Sequence, residues 1–119
     1  MLVRFPNLMQ SYAMEHFKEA AKEAEKIMRG VFERTPLQKN EHLSAIYGAD
    51  IWLKREDLSP VRSYKLRGAF NAMRKQDKNK LFVAASAGNH AQGVAYMCKH
   101  FGVKGTIFMP VTTPKQKIQ

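Results

Sequence analysis

The chain has 119 residues, 45 % of them hydrophobic, which suits one small domain with an apolar core. Its formal net charge is +10, all of it in residues 58–119, but those basic residues are scattered and form no stripe with interleaved aromatics, so we expect no nucleic-acid partner. No apolar run approaches the ~18 residues of a membrane span, and the single Cys98 excludes an internal disulfide, so we expect a cytoplasmic protein without a signal peptide.

The first half of the chain predicts two helices and one strand. Apolar residues at helical spacing, with charged residues between them, indicate an amphipathic helix over residues 14–29. Residues 35–37 contain a proline and should run extended. Residues 40–48 begin with a capping asparagine and end with glycine, which predicts a short helix. The apolar run within residues 51–55 indicates a short strand, on which Trp52 is expected to anchor packing.

The second half alternates helices and strands. Residues 81–85 and 106–109 are short apolar runs, typical of strands that are buried on both faces. The first of these strands follows a helix that starts near Lys65, and the second follows a helix that ends at Gly102. This alternation predicts an α/β fold with parallel strands. The apolar helix faces comprise Leu66, Ala69, Phe70 and Met73 in the first helix, and Ala91, Val94, Ala95, Cys98 and Phe101 in the second.

The last residues predict the opening turn of a further helix. Thr112 or Thr113 is interpreted as its N-cap, Pro114 as its first helical position, and residues 115–119 as the turn itself. So short a helix has little stability alone, because helix nucleation is costly. With two or three parallel strands in all, the sequence predicts a fragment that holds only part of an α/β fold.

Lys65 is a candidate for chemistry with an aldehyde. A lysine amine attacks an aldehyde only when it is neutral, and burial, a neighbouring cation and the positive end of a helix all favour that form. Lys65 has the apolar face begun by Leu66, the cation of Arg67 and the start of its own helix. It could therefore form a Schiff base with an aldehyde cofactor. The alternative is an ordinary surface lysine, which is the commoner case.

The segment 86–93 joins a predicted strand to a predicted helix. Free backbone N–H groups and the helix dipole at such a turn favour a carboxylate or phosphate, which the basic second half of the chain also suits. Gly88 lacks the Cβ that would block close approach, and Asn89 offers an amide to a phenolate oxygen or a hydroxyl. The alternative is an ordinary turn that Ser86 caps. A nucleotide phosphate loop is excluded, because no glycine-rich run ends in Gly-Lys-Ser/Thr.

These residues resemble the fold-type II pyridoxal-phosphate enzymes, whose fold is like that of the tryptophan synthase β chain. The resemblance rests on two motifs, Arg55-Glu56-Asp57 with Ser63-Tyr64-Lys65-Leu66-Arg67-Gly68-Ala69, then Ala85-Ser86-Ala87-Gly88-Asn89-His90-Ala91-Gln92-Gly93. It extends from about residue 35 to residue 119 and, more loosely, through the first helix. The stretch 98–119 is most similar to the biosynthetic threonine dehydratases (threonine ammonia-lyases), which open the isoleucine pathway.

The resemblance implies pyridoxal 5'-phosphate as the cofactor and gives the site residues their roles. Lys65 would carry the cofactor covalently and move the substrate Cα proton, and Asn89 would hydrogen-bond the cofactor's 3-oxygen. Tyr64 would lie beside the cofactor ring, where the family usually has phenylalanine. The implied reaction converts L-threonine to 2-oxobutanoate and ammonia, and the phosphate-binding loop would lie beyond residue 119. The loop that receives the substrate carboxylate would comprise Ser86, Ala87, Gly88 and His90.

The resemblance also implies a domain division and leaves alternatives open. Residues 1–67 would form the N-terminal part of a large cofactor-binding domain, and residues 68–119 the beginning of a small α/β domain, in a longer protein that is a homo-oligomer. Serine dehydratase, serine racemase and diaminopropionate ammonia-lyase have similar motifs, and a truncated, non-catalytic chain is a further alternative. We expect the chain alone to be inactive.

The remaining reactive side chains predict no second site. The four histidines have no partners at metal-ligand spacing, so we expect no metal site. Cys98 and the dispersed methionines are interpreted as core residues. Glu56 and Asp57 are adjacent, so their side chains should point apart and shape the turn before Lys65.

Overall fold

The structure is a computed structural model that describes residues 7–118, with the side chains of residues 14–115 and 118. The chain forms two compact units, Met1–Glu33 and Arg34–Gln119. The first unit contains helix α1 (Asn7–Met28), which confirms the predicted amphipathic helix and starts seven residues earlier. Among the described side chains of α1, most apolar ones are exposed; the exposed fraction of Phe17 is 75 %.

The second unit opens with an antiparallel pair of short strands. Strand β1 (Leu37–Lys39) pairs with strand β2 (Trp52–Lys54), with Lys39 opposite Trp52. The prediction that residues 35–37 run extended is confirmed at Leu37, the first residue of β1, and that of a strand around Trp52 is confirmed with narrower bounds. The prediction that Trp52 anchors packing is wrong, because its side chain is 54 % exposed. Among the residues that the structure describes, none covers either face of this two-stranded sheet.

Helix α2 (Glu41–Tyr47) links these two strands and has the predicted caps. The Asn40 side chain accepts a hydrogen bond from the Leu43 N–H at 2.9 Å. Gly48 ends the helix with a φ of 59°, a left-handed conformation that glycine adopts without steric cost. A local sequence signal was sufficient here because caps depend on neighbouring residues alone.

The rest of the second unit is an α/β arrangement. After a short 3₁₀ helix (Glu56–Leu58) follow helix α3 (Lys65–Met73), strand β3 (Phe82–Ala85), helix α4 (Asn89–Phe101), strand β4 (Gly105–Phe108) and helix α5 (Lys115–Ile118). Strands β3 and β4 are parallel, with Phe82 opposite Gly105 and Ala85 opposite Phe108, which confirms the predicted parallel sheet. The predicted C-terminal helix is also confirmed, and before it the Thr113 hydroxyl donates to the Pro110 carbonyl at 2.6 Å.

The predicted burial of both strands on two faces is wrong. In β3 only Ala84 is buried, and Val83, whose side chain points to the opposite face, is 60 % exposed. In β4 no residue is buried, and Phe108 is 63 % exposed. The apolar runs identify the strands correctly, but within the described residues only one face of the two-stranded sheet is covered.

The core of the second unit lies between α3 and α4. All four residues predicted for the apolar face of α3 are buried, and so are Ala91, Val94 and Cys98 of α4. The core also contains Met97, which is fully buried, and Gly93, and neither was predicted for the apolar face of α4. Ala95 was predicted for that face but is exposed, so this prediction is wrong. The interpretation of methionines as core residues is confirmed for Met97 and Met73 and is wrong for Met14, whose side chain is 68 % exposed.

Helices α3 and α4 run in the same direction. At their N-terminal ends Gly93 lies against the Lys65 backbone, and at their C-terminal ends the rings of Phe70 and Phe101 stack with centroids 5.7 Å apart. Both helices therefore present their positive ends at the carboxyl end of β3.

Candidate active site

The backbone of Lys65 is held by two serines of the preceding loop. Ser63 is buried, and its hydroxyl accepts a hydrogen bond from the Lys65 N–H at 3.2 Å. The Ser59 hydroxyl in turn accepts from the Ser63 N–H at 2.9 Å and donates to the Ser63 carbonyl at 3.1 Å. Neither serine was predicted as a site residue, although serine in a loop before a helix is a known signal for such local bonds.

The Lys65 side chain is exposed, so the expectation that the apolar face of α3 buries it is wrong. The core position belongs to Leu66, which is 2 % exposed. The Lys65 Nζ lies 5.3 Å from the centroid of the Tyr64 ring, and Tyr64 itself is 61 % exposed. The amine therefore lies at the surface beside an aromatic ring, within reach of a ligand.

Arg67 does not act as a free cation beside Lys65, contrary to the sequence prediction. Its guanidinium donates two hydrogen bonds of 2.9 Å to the Glu56 carboxylate, which also accepts a hydrogen bond from the Thr35 hydroxyl. The Arg67 hydrogen bonds hold the pKa of Glu56 below its ordinary value. The charge of Arg67 is thus neutralised by an ion pair that ties the 3₁₀ helix to α3.

Glu56 and Asp57 do not form a pair of carboxylates. Their role in shaping the turn before Lys65 stays a prediction, since the hydrogen bonds within that turn come from Ser59 and Ser63. Asp57 accepts two hydrogen bonds from Arg55, at 2.9 and 2.8 Å, which lower the pKa of Asp57 and raise that of Arg55. The two adjacent side chains have different partners, as expected for neighbours that point apart.

The loop after β3 is built on Ser86. Its N–H donates to the Phe108 carbonyl at 2.9 Å and so extends the pairing of the two parallel strands. Its hydroxyl accepts from the Gly88 N–H at 3.2 Å, which closes the turn. The N-cap of α4 is Gly88 rather than Ser86, and Gly88 provides no side-chain cap. The next residues, Asn89 and His90, are exposed, and so is Ala87.

Gly88 faces open space. No atom of the described residues lies within 4 Å of the position that a Cβ on Gly88 would occupy. Packing among the described residues therefore does not require glycine there. The open space lies at the N-terminal end of α4, where a carboxylate or phosphate is favoured by the helix dipole.

Gly93 brings the two halves of the predicted site together. A Cβ on Gly93 would lie 3.2 Å from both the carbonyl carbon and the oxygen of Lys65. Gly93 is one helical turn beyond Asn89, about 6 Å along the axis of α4. The lysine and the loop 86–90 consequently share one edge of the unit, the edge at which both helix dipoles are positive.

The family of the chain follows from a comparison with known proteins. Residues 28–119 match the family described as pyridoxal-phosphate dependent enzymes. The chain belongs to this family. The predicted resemblance to fold-type II pyridoxal-phosphate enzymes is thereby confirmed, and a parallel two-stranded sheet with its helices is the part of that fold which the chain contains.

Two bacterial relatives show which curated proteins this pyridoxal-phosphate family protein is similar to. The biosynthetic L-threonine dehydratase IlvA of Bacillus subtilis is 56 % identical over 95 residues, which are 76 % of this chain and 22 % of that protein. Its counterpart in Corynebacterium glutamicum is 58 % identical over 90 residues, 73 % of this chain and 21 % of that protein. The chain therefore spans about a fifth of the length of these curated relatives.

Solved structures give the same picture of this pyridoxal-phosphate family protein. The processed form of threonine deaminase isoform 2 from Solanum lycopersicum matches with a TM-score of 0.71 and 39 % identity, over 85 % of this chain and 30 % of that one. Maize serine racemase matches with a TM-score of 0.78 and 29 % identity, over 84 % of this chain and 31 % of that one. Both comparisons place the α/β arrangement in the same fold.

Two further properties concern only the part of the chain that the structure describes. In that part, no group of three His, Cys, Asp or Glu side chains is arranged to hold a metal ion. None of its helices has the length and apolar character that crossing a membrane requires.

Proposed function

We propose that this chain is the N-terminal portion of a pyridoxal-phosphate-dependent lyase that converts L-threonine to 2-oxobutanoate and ammonia. The observation that carries the proposal is the shared edge at which Gly93 holds the start of α3 against α4, one turn from Asn89. The names of the bacterial relatives, at more than half identity over three quarters of the chain, support threonine as the substrate.

The residues at this edge fit pyridoxal phosphate. Lys65 presents an exposed amine to an aldehyde, and the Tyr64 ring beside it offers an aromatic surface to a pyridine ring. The exposed Asn89 amide can donate to the phenolic oxygen of the cofactor. When bound, the cofactor supplies an electron sink for the carbanion that forms at the substrate Cα.

The proposed roles of the chain's own residues follow from these positions. Lys65 would hold the cofactor covalently, and its free amine would remove or return the Cα proton of the substrate. The substrate carboxylate binds at the start of α4, to the loop formed by Ser86, Ala87, Gly88 and His90. Two parallel helix dipoles favour the negative charge there, because their positive ends meet at this edge.

Serine racemisation is the second candidate activity. Maize serine racemase has the higher TM-score of the two solved structures, 0.78 against 0.71. The machinery proposed for Lys65 and Asn89 serves either reaction, since both begin with loss of the Cα proton. A test of the longer protein with both substrates separates them: release of a 2-oxo acid from threonine supports the lyase, whereas D-serine formed from L-serine supports the racemase.

We further propose how the chain belongs to a longer protein. Residues 1–67 are assigned to the large domain of that protein and residues 68–119 to the beginning of its small domain. The longer protein is proposed to be a cytoplasmic homo-oligomer, in which the lone Cys98 stays reduced. The chain alone, at about a fifth of the length of its relatives, should release no ammonia from threonine. Measurable ammonia release would contradict that expectation.

Selective chemical trapping tests the proposed site on the 119-residue chain itself. The chain is incubated with pyridoxal phosphate and reduced with borohydride, and the modified lysines are quantified by peptide mass mapping. We expect the adduct at Lys65 to exceed several-fold that at Lys75, an exposed lysine just beyond the end of α3. An adduct spread evenly over the two lysines would contradict the site.

The variant Asn89→Ala sharpens this test. Loss of one hydrogen bond to the cofactor should raise the pyridoxal phosphate concentration for half-maximal labelling of Lys65 by about tenfold. Labelling of Lys75 should not change, which makes it the control within the same sample. An equal effect on both lysines would indicate a general structural change and contradict the role of Asn89.

A further inference from the structure

We propose that Gly93 is a positioning residue that sets the distance between Lys65 and the loop 86–90. The contact itself is independent of any function, but its consequence for reactivity rests on the proposed pyridoxal-phosphate site. No role was assigned to Gly93 from the sequence, although it ends the second motif.

The contact at Gly93 involves backbone atoms. A Cβ at this position would lie 3.2 Å from the Lys65 carbonyl carbon and oxygen, and 3.3 Å from the Leu66 nitrogen. These separations are shorter than ordinary van der Waals contacts between heavy atoms. Backbone atoms cannot turn away as the end of a flexible side chain can, so an added methyl group has to push α3 and α4 apart.

The surroundings of Lys65 prevent a purely local adjustment. On one side the Ser63 hydroxyl accepts the Lys65 N–H. On the other side Leu66 is 2 % exposed and Ala69 is 4 % exposed, so both are fixed in the core against α4. A methyl group at Gly93 would therefore displace the start of α3 by a few tenths of an ångström. Lys65 would move with it, away from the helix that carries Asn89.

Helix propensity does not explain glycine at this position. Gly93 is the fifth residue of the 13-residue helix α4, and alanine is the better helix former in a helix interior. The close approach of the Lys65 backbone is the physical reason for glycine there. Gly68 provides the contrast within the same motif pair: a Cβ on it would meet no described atom within 4 Å.

The test compares Gly93→Ala with Gly68→Ala in the 119-residue chain. Two reagents are applied to each: pyridoxal phosphate with borohydride, and acetic anhydride, which reports the accessibility and nucleophilicity of the amine without requiring a cofactor site. For Gly93→Ala we expect the pyridoxal phosphate concentration that half-labels Lys65 to rise by about tenfold, because sub-ångström misplacement reduces the reactivity of an oriented group. Acetylation of Lys65 should stay the same. In Gly68→Ala both measurements should equal those of the parent chain.

A second variant covers the case in which Gly93→Ala does not fold. Ser63→Ala adds no volume and removes only the hydroxyl that fixes the Lys65 N–H. It should also weaken labelling of Lys65 by pyridoxal phosphate while leaving its acetylation unchanged. Misfolding of Gly93→Ala together with unchanged labelling in Ser63→Ala would overturn the proposal.

The outcomes separate this inference from the proposed function. A folded Gly93→Ala chain that labels like the parent would overturn the role of Gly93 and leave the pyridoxal-phosphate site intact. A parent chain that shows no preference for Lys65 over Lys75 would overturn the site, and the role of Gly93 with it.

Discussion

Arg67 and Glu56 face each other through two parallel hydrogen bonds of 2.9 Å, and both side chains are largely shielded from solvent, with 23 % and 19 % exposed. Charged hydrogen bonds in this forked geometry are the stronger ones in proteins. The pair joins the 3₁₀ helix to α3 only two residues beyond Lys65. Arg67, which was predicted from the sequence to be a cation beside Lys65, thus has a structural role.

The first prediction concerns Glu56→Gln. Loss of the charged hydrogen bonds should lower the free energy of unfolding by about 2 kcal/mol at pH 7, measured by urea denaturation. Because Arg67 lowers the pKa of Glu56 below 4.5 in the folded chain, the carboxylate stabilises the fold above about pH 4.5 and loses this effect as the pH falls through the lower folded value. The unfolding free energy of Glu56→Gln should therefore fall less steeply with acid than that of the parent.

Asp57→Asn provides the matched control for that prediction. Asp57 also pairs with an arginine through two hydrogen bonds, but its side chain is 52 % exposed. An exposed ion pair contributes little to stability, since water and salt screen it. If Asp57→Asn destabilised the chain as much as Glu56→Gln, burial would not be what makes the Glu56 pair important.

The second prediction concerns the contact between α4 and β4. A Cβ on Gly105 would lie 2.5 Å from the Cys98 Sγ but at an ordinary 3.6 Å from the Cys98 Cβ. Gly105→Ala should therefore destabilise the chain by about 1–3 kcal/mol through overpacking. In a Cys98→Ala background the same substitution should have less than half that effect, because the clashing sulfur is gone. A double-mutant cycle by urea denaturation measures this coupling, and additive effects would refute it.

The third prediction concerns the reactivity of Cys98. Its side chain is buried, and burial raises the pKa of the Cys98 thiol above its ordinary value. The thiolate is the reactive form, so iodoacetamide at pH 8 should alkylate the folded chain at least tenfold more slowly than the chain in urea. Equal rates under the two conditions would show that Cys98 is accessible in solution. Because the thiol form is favoured in the folded state, this group also lowers the unfolding free energy as the pH rises above about 8.5.

The sequence was sufficient for features that depend on local pattern. Apolar residues at helical spacing predicted all four buried positions of α3, and the caps Asn40 and Gly48 fixed the bounds of α2. The strands were located for the same reason, but their burial was not predictable. Whether Val83 and Phe108 are covered depends on which other elements pack on the sheet, and an apolar run carries no information about that.

The sequence motifs identified which residues form the candidate site, but they did not predict how these residues are arranged in space. The motifs pointed to Lys65 and Asn89, and their roles stay a proposal. The contact that brings the two motifs together lies at Gly93, and it depends on how closely α3 approaches α4. Likewise, adjacency in sequence placed the cation of Arg67 beside Lys65, whereas the fold turns it toward Glu56. Distances between separate elements are set by packing, for which spacing along the chain is a poor guide.

The last prediction separates ligand binding from folding at Gly88. A methyl group there meets no described atom within 4 Å, so Gly88→Ala should change the free energy of unfolding by no more than about 0.5 kcal/mol. In the proposed site the same methyl group blocks the approach of the substrate carboxylate. In the trapping experiment, L-threonine removes free cofactor equally from both lysines of the parent chain. Binding of threonine at the proposed site should lower the adduct at Lys65 further than the adduct at Lys75. In Gly88→Ala, the threonine concentration needed for this selective decrease should rise by about tenfold. An unchanged concentration would show that the carboxylate does not bind at this loop.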